Sequence, residues 1–207
     1  MRESTGTKPS LVDRIALDIQ SGFYGPGAWL KQIDMQARYE VTRLEVRKAL
    51  DLLVLKRLLE HIPNRGYHVY VPDMRRSSEV RDIRVLLECG AAEAIMGKVS
   101  AKQIKRIRTL AQDFQSLVIT GTLMEQYESN QAFHRAMYES CPNAELVSLI
   151  QEIRAGTPSA PATQWKSRAR VEQSAREHFE MIEALEKKDL PRLKQVIAAH
   201  ITQTETR

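Results

Sequence analysis

The fold of the N-terminal part is decided by residues 34–50, DMQARYEVTRLEVRKAL, which predict a short helix, a tight turn and a longer helix. The apolar positions expected to face the core are Ile33, Ala37 and Val41 for the first helix and Val46, Leu50 and Leu53 for the second. Spacings of three and four residues are those of one helix face. Two helices joined by a tight turn are typical of a helix-turn-helix unit.

The start of the second helix is marked by a capping motif. Thr42 and Glu45 have the T-x-x-E spacing in which each side chain bonds the other residue's backbone N–H, so we predict that the helix begins at Arg43. Arg43 and Arg47 then project from its exposed first turns. A helix that enters a DNA major groove presents its reading side chains there.

A predicted hairpin follows at residues 58–71, LLEHIPNRGYHVYV. Two short runs rich in aliphatic and aromatic residues flank Pro-Asn-Arg-Gly, a turn that requires glycine. A helix-turn-helix followed by a hairpin is a winged helix, and Arg65 would lie at the wing tip, near a phosphate or a minor-groove edge. The alternative is a small α+β domain whose basic residues are only solvated.

These stretches resemble the N-terminal domain of the GntR family of bacterial transcription regulators, over roughly residues 8–72. The shared motifs are a PG-x-x-L pattern at 26–30, V-T-R-x-x-V-R-x-A-L at 41–50 and N-R-G at 64–66. The resemblance implies contacts with operator DNA from Arg38, Arg43, Arg47 and the wing around Gly66, and we assign Thr42 and Arg65 to the same surface. The chain departs from the family pattern at Leu44-Glu45, where Thr-Pro is common, so the resemblance does not give the base preference.

Length and charge fit a two-part protein. The chain has 207 residues, enough for two modest domains, and 28% of them are charged. Residues 1–76 carry 13 Lys/Arg against 9 Asp/Glu, whereas the remainder carries 18 against 17, so the positive excess lies with the predicted winged helix. Cys89 and Cys141 show no metal-binding spacing and are predicted to be free, small core residues. No secretory or membrane-spanning run is present, so we expect a cytoplasmic protein without a membrane partner.

The rest of the chain has helical periodicity. Candidate helices cover about 77–97, 101–119, 122–140, 143–155, 163–188 and 190–205. Asn143 is the expected N-cap of the fourth, residues 156–161 form a break, and Asp189-Leu-Pro191 ends the fifth and starts the last. We therefore predict a mostly α protein, with a winged helix-turn-helix over residues 1–74 and an antiparallel six-helix bundle over 75–207.

Three histidines lie in the predicted bundle. Asn130 and His134 are one helical turn apart, and His178 and His200 each lie among apolar neighbours that would turn the ring inward. Three imidazoles and one side-chain oxygen suit a first-row divalent metal with room for an added ligand. From the residues alone, the alternative of buried, hydrogen-bonded core histidines stays open.

This half resembles the all-helical FCD effector domain of the FadR-like branch of the GntR family. The matching stretches are Arg84–Glu88, Asn130–His134, Pro142–Leu146, Glu177–Leu185, Asp189 and His200-Ile201. The resemblance implies that zinc, nickel or manganese is bound by Asn130, His134, His178 and His200. Asn130 stands where other members can have Asp, and its neutral oxygen is a weaker ligand. The alternative is an anion pocket of histidines and arginine without metal.

Arg84 matches an arginine that often lines the effector cavity of such domains. A guanidinium opposite a divalent cation suits a small carboxylic acid. The alternative role of Arg84 is a surface ion pair with Glu88, four residues on in the helix.

The sequence therefore predicts a homodimeric transcription regulator that binds palindromic double-stranded operator DNA. A small organic acid in the bundle would control operator affinity, and the resemblance implies a repressor. The rival from another class is a metal-dependent hydrolase that uses the three histidines, and a structural adaptor is a third option. Against the hydrolase, Glu177 adjoins His178 and is expected to face another direction, which leaves no general base beside the histidines.

Overall fold

The computed structural model describes residues 9–71, 73–156 and 167–202. The N-terminal elements are α1 (Leu11–Gln20), β1 (Trp29–Leu30), α2 (Gln32–Tyr39), α3 (Arg43–Leu55), β2 (Leu59–Ile62) and β3 (Gly66–Val69). The three strands form an antiparallel sheet in the order β1-β3-β2. The predicted winged helix-turn-helix is confirmed, and α1 and β1 add a helix and a third strand that the sequence motifs did not reveal.

The predicted cap fixes the start of α3. The Thr42 hydroxyl oxygen accepts a hydrogen bond from the Glu45 N–H, and the Glu45 carboxylate accepts one from the Thr42 N–H at 2.9 Å. The helix therefore begins at Arg43, as expected. Its predicted apolar face is also correct, because Val46, Leu50 and Leu53 are fully buried.

The predicted apolar face of the first helix was wrong at two of its three positions. Ile33 and Ala37 are exposed, whereas Val41, just after α2, packs on the core as predicted. The buried residues of α2 are Met35 and Tyr39. The rotation of α2 is set by Asp18 of α1, whose carboxylate accepts hydrogen bonds from the Tyr39 hydroxyl at 2.5 Å and from Arg38 Nε at 3.0 Å. Since α1 was not predicted, its carboxylate could not enter the sequence argument.

The second half is a six-helix bundle, as predicted, and contains no strand within the described residues. Its helices are α4 (Met74–Ile95), α5 (Ala101–Thr120), α6 (Leu123–Tyr138), α7 (Ala144–Gly156), α8 (Arg168–Glu186) and α9 (Leu190–Thr202). Helix α5 packs on α6 and α8, α4 packs on α7 and α9, and α8 packs on α9. The core between them brings the inner faces of α6, α8 and α9 together.

Side-chain caps begin two of these helices where the sequence predicted. The Asn143 side chain accepts a hydrogen bond from the Leu146 N–H at 3.0 Å, and Asp189 accepts one from the Arg192 N–H at 2.9 Å, with Pro191 in the first turn of α9. The predicted break at 156–161 and the start of the fifth helix at 163 fall largely outside the described residues. Helix α4 begins three residues earlier than predicted, because Asp73 caps it by accepting from the Arg76 N–H.

Cys89 and Cys141 are free thiols, half-buried against the bundle core, as expected. In the part of the chain that the structure describes, no helix is both long and apolar enough to cross a membrane.

Candidate metal centre and DNA-binding surface

The three bundle histidines meet at one point. His134 of α6, His178 of α8 and His200 of α9 are all buried, and one ring nitrogen from each lies within 4.8 Å of the other two. The Nε2 atoms of His134 and His200 are 3.2 Å apart. The sequence separation of these residues gave no local motif, and the packing of three helices brings them together.

Aromatic neighbours fix the ring planes. Phe133 stacks on His178 with ring centroids 3.8 Å apart and an interplanar angle of 15°. Phe114 of α5 lies against another side of the same ring at 5.0 Å, and the rings of His134 and His178 meet edge to face. The cluster is therefore embedded in the core rather than placed on a mobile surface loop.

Burial keeps these imidazoles in their neutral form. It lowers the pKa of His134 and of His178 well below the ordinary value, and the nearby positive charge of Arg154 acts in the same direction. Burial also lowers the pKa of His200, against the opposite effect of Glu177. Neutral imidazole is the form that binds metal ions.

Several buried polar atoms of this cluster have no hydrogen-bond partner among the described residues. They are Asn130 Oδ1, His134 Nδ1 and both ring nitrogens of His178. A buried polar atom without a partner costs about 1–3 kcal/mol, so these atoms are suited to bind an ion, a ligand or an ordered water. Two nitrogens bound to one zinc-sized ion at about 2.1 Å each lie roughly 3–3.5 Å apart, which fits the distance between His134 and His200. The donor set therefore fits a divalent metal ion.

Glu177 corrects one sequence expectation. It was expected to face away from the histidines, yet its Oε2 accepts a hydrogen bond from His200 Nδ1 at 2.7 Å. The expectation considered α8 alone, whereas α9 packs on α8 and places His200 over the Glu177 side chain. Arg170 holds the other side of this carboxylate with two hydrogen bonds, at 3.0 and 2.9 Å.

This arrangement does not support the hydrolase alternative. Burial alone would raise the pKa of Glu177, but the hydrogen bonds from His200 and Arg170 lower it to about 2. A carboxylate so strongly held in its ionised form is a weak general base. It lies on the Nδ1 side of His200 and fixes the tautomer that leaves Nε2 free to bind a metal ion.

A cavity of about 800 Å³ reaches the histidine cluster at His134, whereas His178 and His200 do not line it. The bundle contributes His134, Tyr138 and Arg154 to its wall, and α1 of the winged-helix domain contributes Leu17 and Gln20. The two domains are also hydrogen-bonded here. The Gln20 side-chain amide donates to the Ala155 carbonyl at 2.5 Å, and the Tyr127 hydroxyl donates to Gln20 Oε1 at 3.1 Å.

Arg84 lies behind this cavity wall. Its ion pair with Glu88 is present, with Arg84 Nη2 2.9 Å from the carboxylate, but both side chains are buried, so the pair is not a surface one. The same carboxylate accepts from Arg154 Nη1 at 3.1 Å and from the Tyr138 hydroxyl at 3.0 Å. Sequence reasoning missed Arg154. The clue was its position one helical turn after Ile150, on the buried face of α7.

The predicted DNA-contacting residues lie on the other domain. Arg43 and Arg47 are exposed on α3 and border a groove that reaches the wing at Gly66. Thr42 and Arg65 are also exposed. Gly66 has φ +80°, and a Cβ atom there would lie 3.1 Å from the Trp29 indole nitrogen, so the wing turn requires glycine.

The Arg38 guanidinium already makes contacts within the protein. Besides its bonds to Asp18, its guanidinium lies 3.8 Å from the centre of the Phe23 ring. It retains 40% exposure of its side chain, which leaves one edge facing solvent.

Comparison with known proteins gives two family matches. The FCD domain matches residues 79–203, and the bacterial regulatory proteins of the gntR family match residues 7–69. The uncharacterized HTH-type transcriptional regulator YdhC of Bacillus subtilis is 23% identical over 183 residues, 88% of this chain and 82% of YdhC. The HTH-type transcriptional repressor RspR of Escherichia coli is 21% identical over 184 residues, 89% and 81% of the two chains.

Solved structures agree in fold. E. coli McbR/YncC superposes with a TM-score of 0.79 at 19% identity, covering 93% of this chain and 92% of that one. A GntR transcriptional regulator from Rhodococcus sp. RHA1 gives 0.78 at the same identity and coverage. The relatives are transcriptional regulators rather than enzymes. The chain belongs to the GntR family of DNA-binding transcriptional regulators, with an FCD domain after its winged helix.

Proposed function

We propose that this regulator is a homodimeric repressor whose affinity for a palindromic operator is controlled by a small organic acid. The acid binds beside a divalent metal ion in the FCD domain. One observation carries the proposal: a buried three-histidine cluster with unpartnered nitrogens meets, at His134, a cavity that the DNA-binding domain helps to enclose.

Operator recognition is assigned to the start of α3 and to the wing. Arg43 and Arg47 face solvent in the first turns of α3, where side chains reach base edges in the major groove. The negative charge of Glu45 is held in the cap by Thr42, which lowers the pKa of its carboxyl group. Arg65 at the wing tip and the free edge of Arg38 are suited to phosphate contacts.

A dimer is expected because one helix in one groove reads few base pairs. Helix α4 has an apolar face that supports this expectation. Ile83 and Leu86 are 46% and 74% exposed, and on the same face a Cβ added at Gly90 would contact nothing. Light scattering should give twice the chain mass of 23.6 kDa.

The metal would be held by His134, His178 and His200 together with Asn130. Asn130 lies one turn before His134 on α6, is buried, and has a free side-chain oxygen. A bound zinc, nickel or manganese ion would supply a Lewis-acidic centre for a carboxylate. Because the Asn130 ligand is neutral, the site keeps more positive charge than one with a carboxylate at that position.

The link between the two domains passes through Gln20. An acid in the cavity lies beside the residues that hydrogen-bond Gln20, so the acid and the operator can favour different positions of the winged helix. Linkage is reciprocal, so an acid that weakens operator binding must itself bind more weakly to the operator complex.

The experiment is a gel-shift assay with genomic fragments that flank the gene of this protein. Metal-loaded protein should retard a fragment containing an inverted repeat, and candidate acids should reduce the retarded fraction. Removal of metal with a chelator should abolish the effect of the acid. Retardation that neither any acid nor the chelator alters would contradict effector control and leave DNA binding in place.

A further inference from the structure

We propose that Arg154 is the residue that binds the carboxylate of the organic acid, and that Arg84 positions Arg154 through the Glu88 carboxylate they share. The inference rests on the function proposed above and identifies the acid-binding residue of that site. It differs from the sequence expectation, which gave the binding role to Arg84.

Arg154 and Arg84 lie at different distances from the cavity, and this difference assigns them different roles. Arg154 lines the cavity together with His134 and Tyr138, whereas Arg84 is not among the lining residues. Arg84 contacts Glu88 through two nitrogens: its Nε lies 3.0 Å and its Nη2 2.9 Å from Glu88 Oε1. Arg84 therefore contacts Glu88 from the side away from the cavity, and Arg154 contacts Glu88 from the cavity side.

The group formed by Arg84, Arg154 and Glu88 has two positive charges and one negative charge. Glu88 is the single carboxylate between two buried guanidinium groups, and despite complete burial its pKa is lowered to about 2 by Arg154 and Arg84. Among the described residues, neither arginine has another acidic partner within ion-pair distance. The neighbouring Arg170, by contrast, is neutralised by Glu177. A buried excess charge is costly, and an anion in the cavity would offset it.

Arg154 also has a donor that its bond to Glu88 does not use. Its Nη1 is used by Glu88, while its Nε is buried and has no partner within the described part of the chain. The Nε side of a guanidinium is one of the edges that bind a carboxylate with two parallel hydrogen bonds. The acidic side chains on the cavity rim, Asp113, Glu125 and Glu128, are solvent-exposed, so water screens their repulsion of an incoming acid.

Isothermal titration of the metal-loaded full-length protein with sodium acetate and sodium benzoate tests the assignment, with sodium chloride keeping the ionic strength constant. Arg154→Met should weaken acid binding at least tenfold without changing the metal content. The matched control is Arg106→Met, which removes an ion-paired but exposed arginine of α5 and should bind the acids like the wild type. Circular dichroism verifies the fold of each variant.

Arg154→Lys is a second variant for use if Arg154→Met does not fold. Lysine keeps a positive charge beside Glu88 but cannot form the bidentate hydrogen bonds of a guanidinium. It should also bind acid more weakly than the wild type. Wild-type affinity in a folded Arg154 variant overturns the proposal, as does a loss confined to Arg84→Met.

Other outcomes separate this inference from the proposed function. If the wild type binds neither acid at millimolar concentration, the Arg154 site and effector control both fail, while DNA and metal binding stand. If acids bind through Arg154 but leave operator affinity unchanged, the Arg154 site stands and effector control fails.

Discussion

Nε2 of His200 lies 3.2 Å from Nε2 of His134, and on the opposite side of its ring Nδ1 of His200 lies 2.7 Å from Glu177. Because Nδ1 donates to the carboxylate, Nε2 of neutral His200 presents a lone pair toward His134. The proposed metal ion would explain why two such nitrogens face each other in a site that also contains His178, whose ring nitrogens have no partner among the described residues.

Purified protein should contain about one divalent ion per chain, and replacing His134, His178 or His200 with Ala should remove it, because each supplies a ligand that no described neighbour can replace. Elemental analysis measures the content, and the exposed wing residue His61, changed to Ala, is the control. Native protein that takes up no zinc, nickel or manganese would favour the metal-free anion pocket.

Glu177→Gln should weaken metal binding by roughly 10–100-fold, the usual effect of losing a carboxylate that orients a histidine ligand. The amide cannot accept hydrogen bonds from His200 and Arg170 as strongly as the carboxylate does. Competition with a chromogenic chelator gives the affinity. Glu172→Gln, which removes only an exposed partner of Arg168, should leave it unchanged. Equal metal affinities in the two variants would show that Glu177 does not position His200.

Operator recognition should fail in Arg43→Ala and in Arg47→Ala. Each lost base contact costs about 1–3 kcal/mol, so affinity should fall roughly 5- to 150-fold without a change in thermal stability. Fluorescence anisotropy with an operator fragment measures this effect. Lys56→Ala, at the far end of α3, serves as the control for lost charge. Wild-type affinity in both arginine variants would remove α3 from the recognition surface.

Glu88 should contribute to the acid sensitivity of the fold. Its folded-state pKa of about 2 lies below the ordinary value, so its contribution to stability is complete above about pH 5 and is lost as the pH falls toward 2. Glu88→Gln leaves two buried arginines without a charged partner and should cost about 3–5 kcal/mol at neutral pH. Urea unfolding at pH 7 and pH 3 should show this difference shrinking at the lower pH. A constant difference would argue against an ionised Glu88.

Sequence patterns predicted the elements that depend on local chemistry. The T-x-x-E cap placed the start of α3 at Arg43, and the histidines found by resemblance converge in the fold. Contacts between distant elements could not be predicted in the same way. The rotation of α2 depends on Asp18, and the position of Glu177 depends on how α9 packs on α8.

Arg154 shows the same limit at the proposed effector site. Its role depends on Glu88, 66 residues earlier in the chain, and on a cavity that α1 of the other domain helps to enclose. A single arginine near the end of a helix gives no indication of either contact. The ion pair of Arg84 with Glu88, four residues on in the same helix, could be predicted from spacing, whereas an effector role for Arg84 was implied only by the family resemblance.

An acid bound at the proposed metal site should change operator affinity, and anisotropy titration of an operator fragment measures this effect most directly. The titration compares metal-loaded wild type with and without a saturating acid, and repeats the comparison with His134→Ala. The acid should raise the operator Kd of the wild type at least fivefold, the lower range of allosteric coupling, and should have no effect on the variant. An operator Kd that stays constant while calorimetry shows the acid bound to the wild type would contradict the claim.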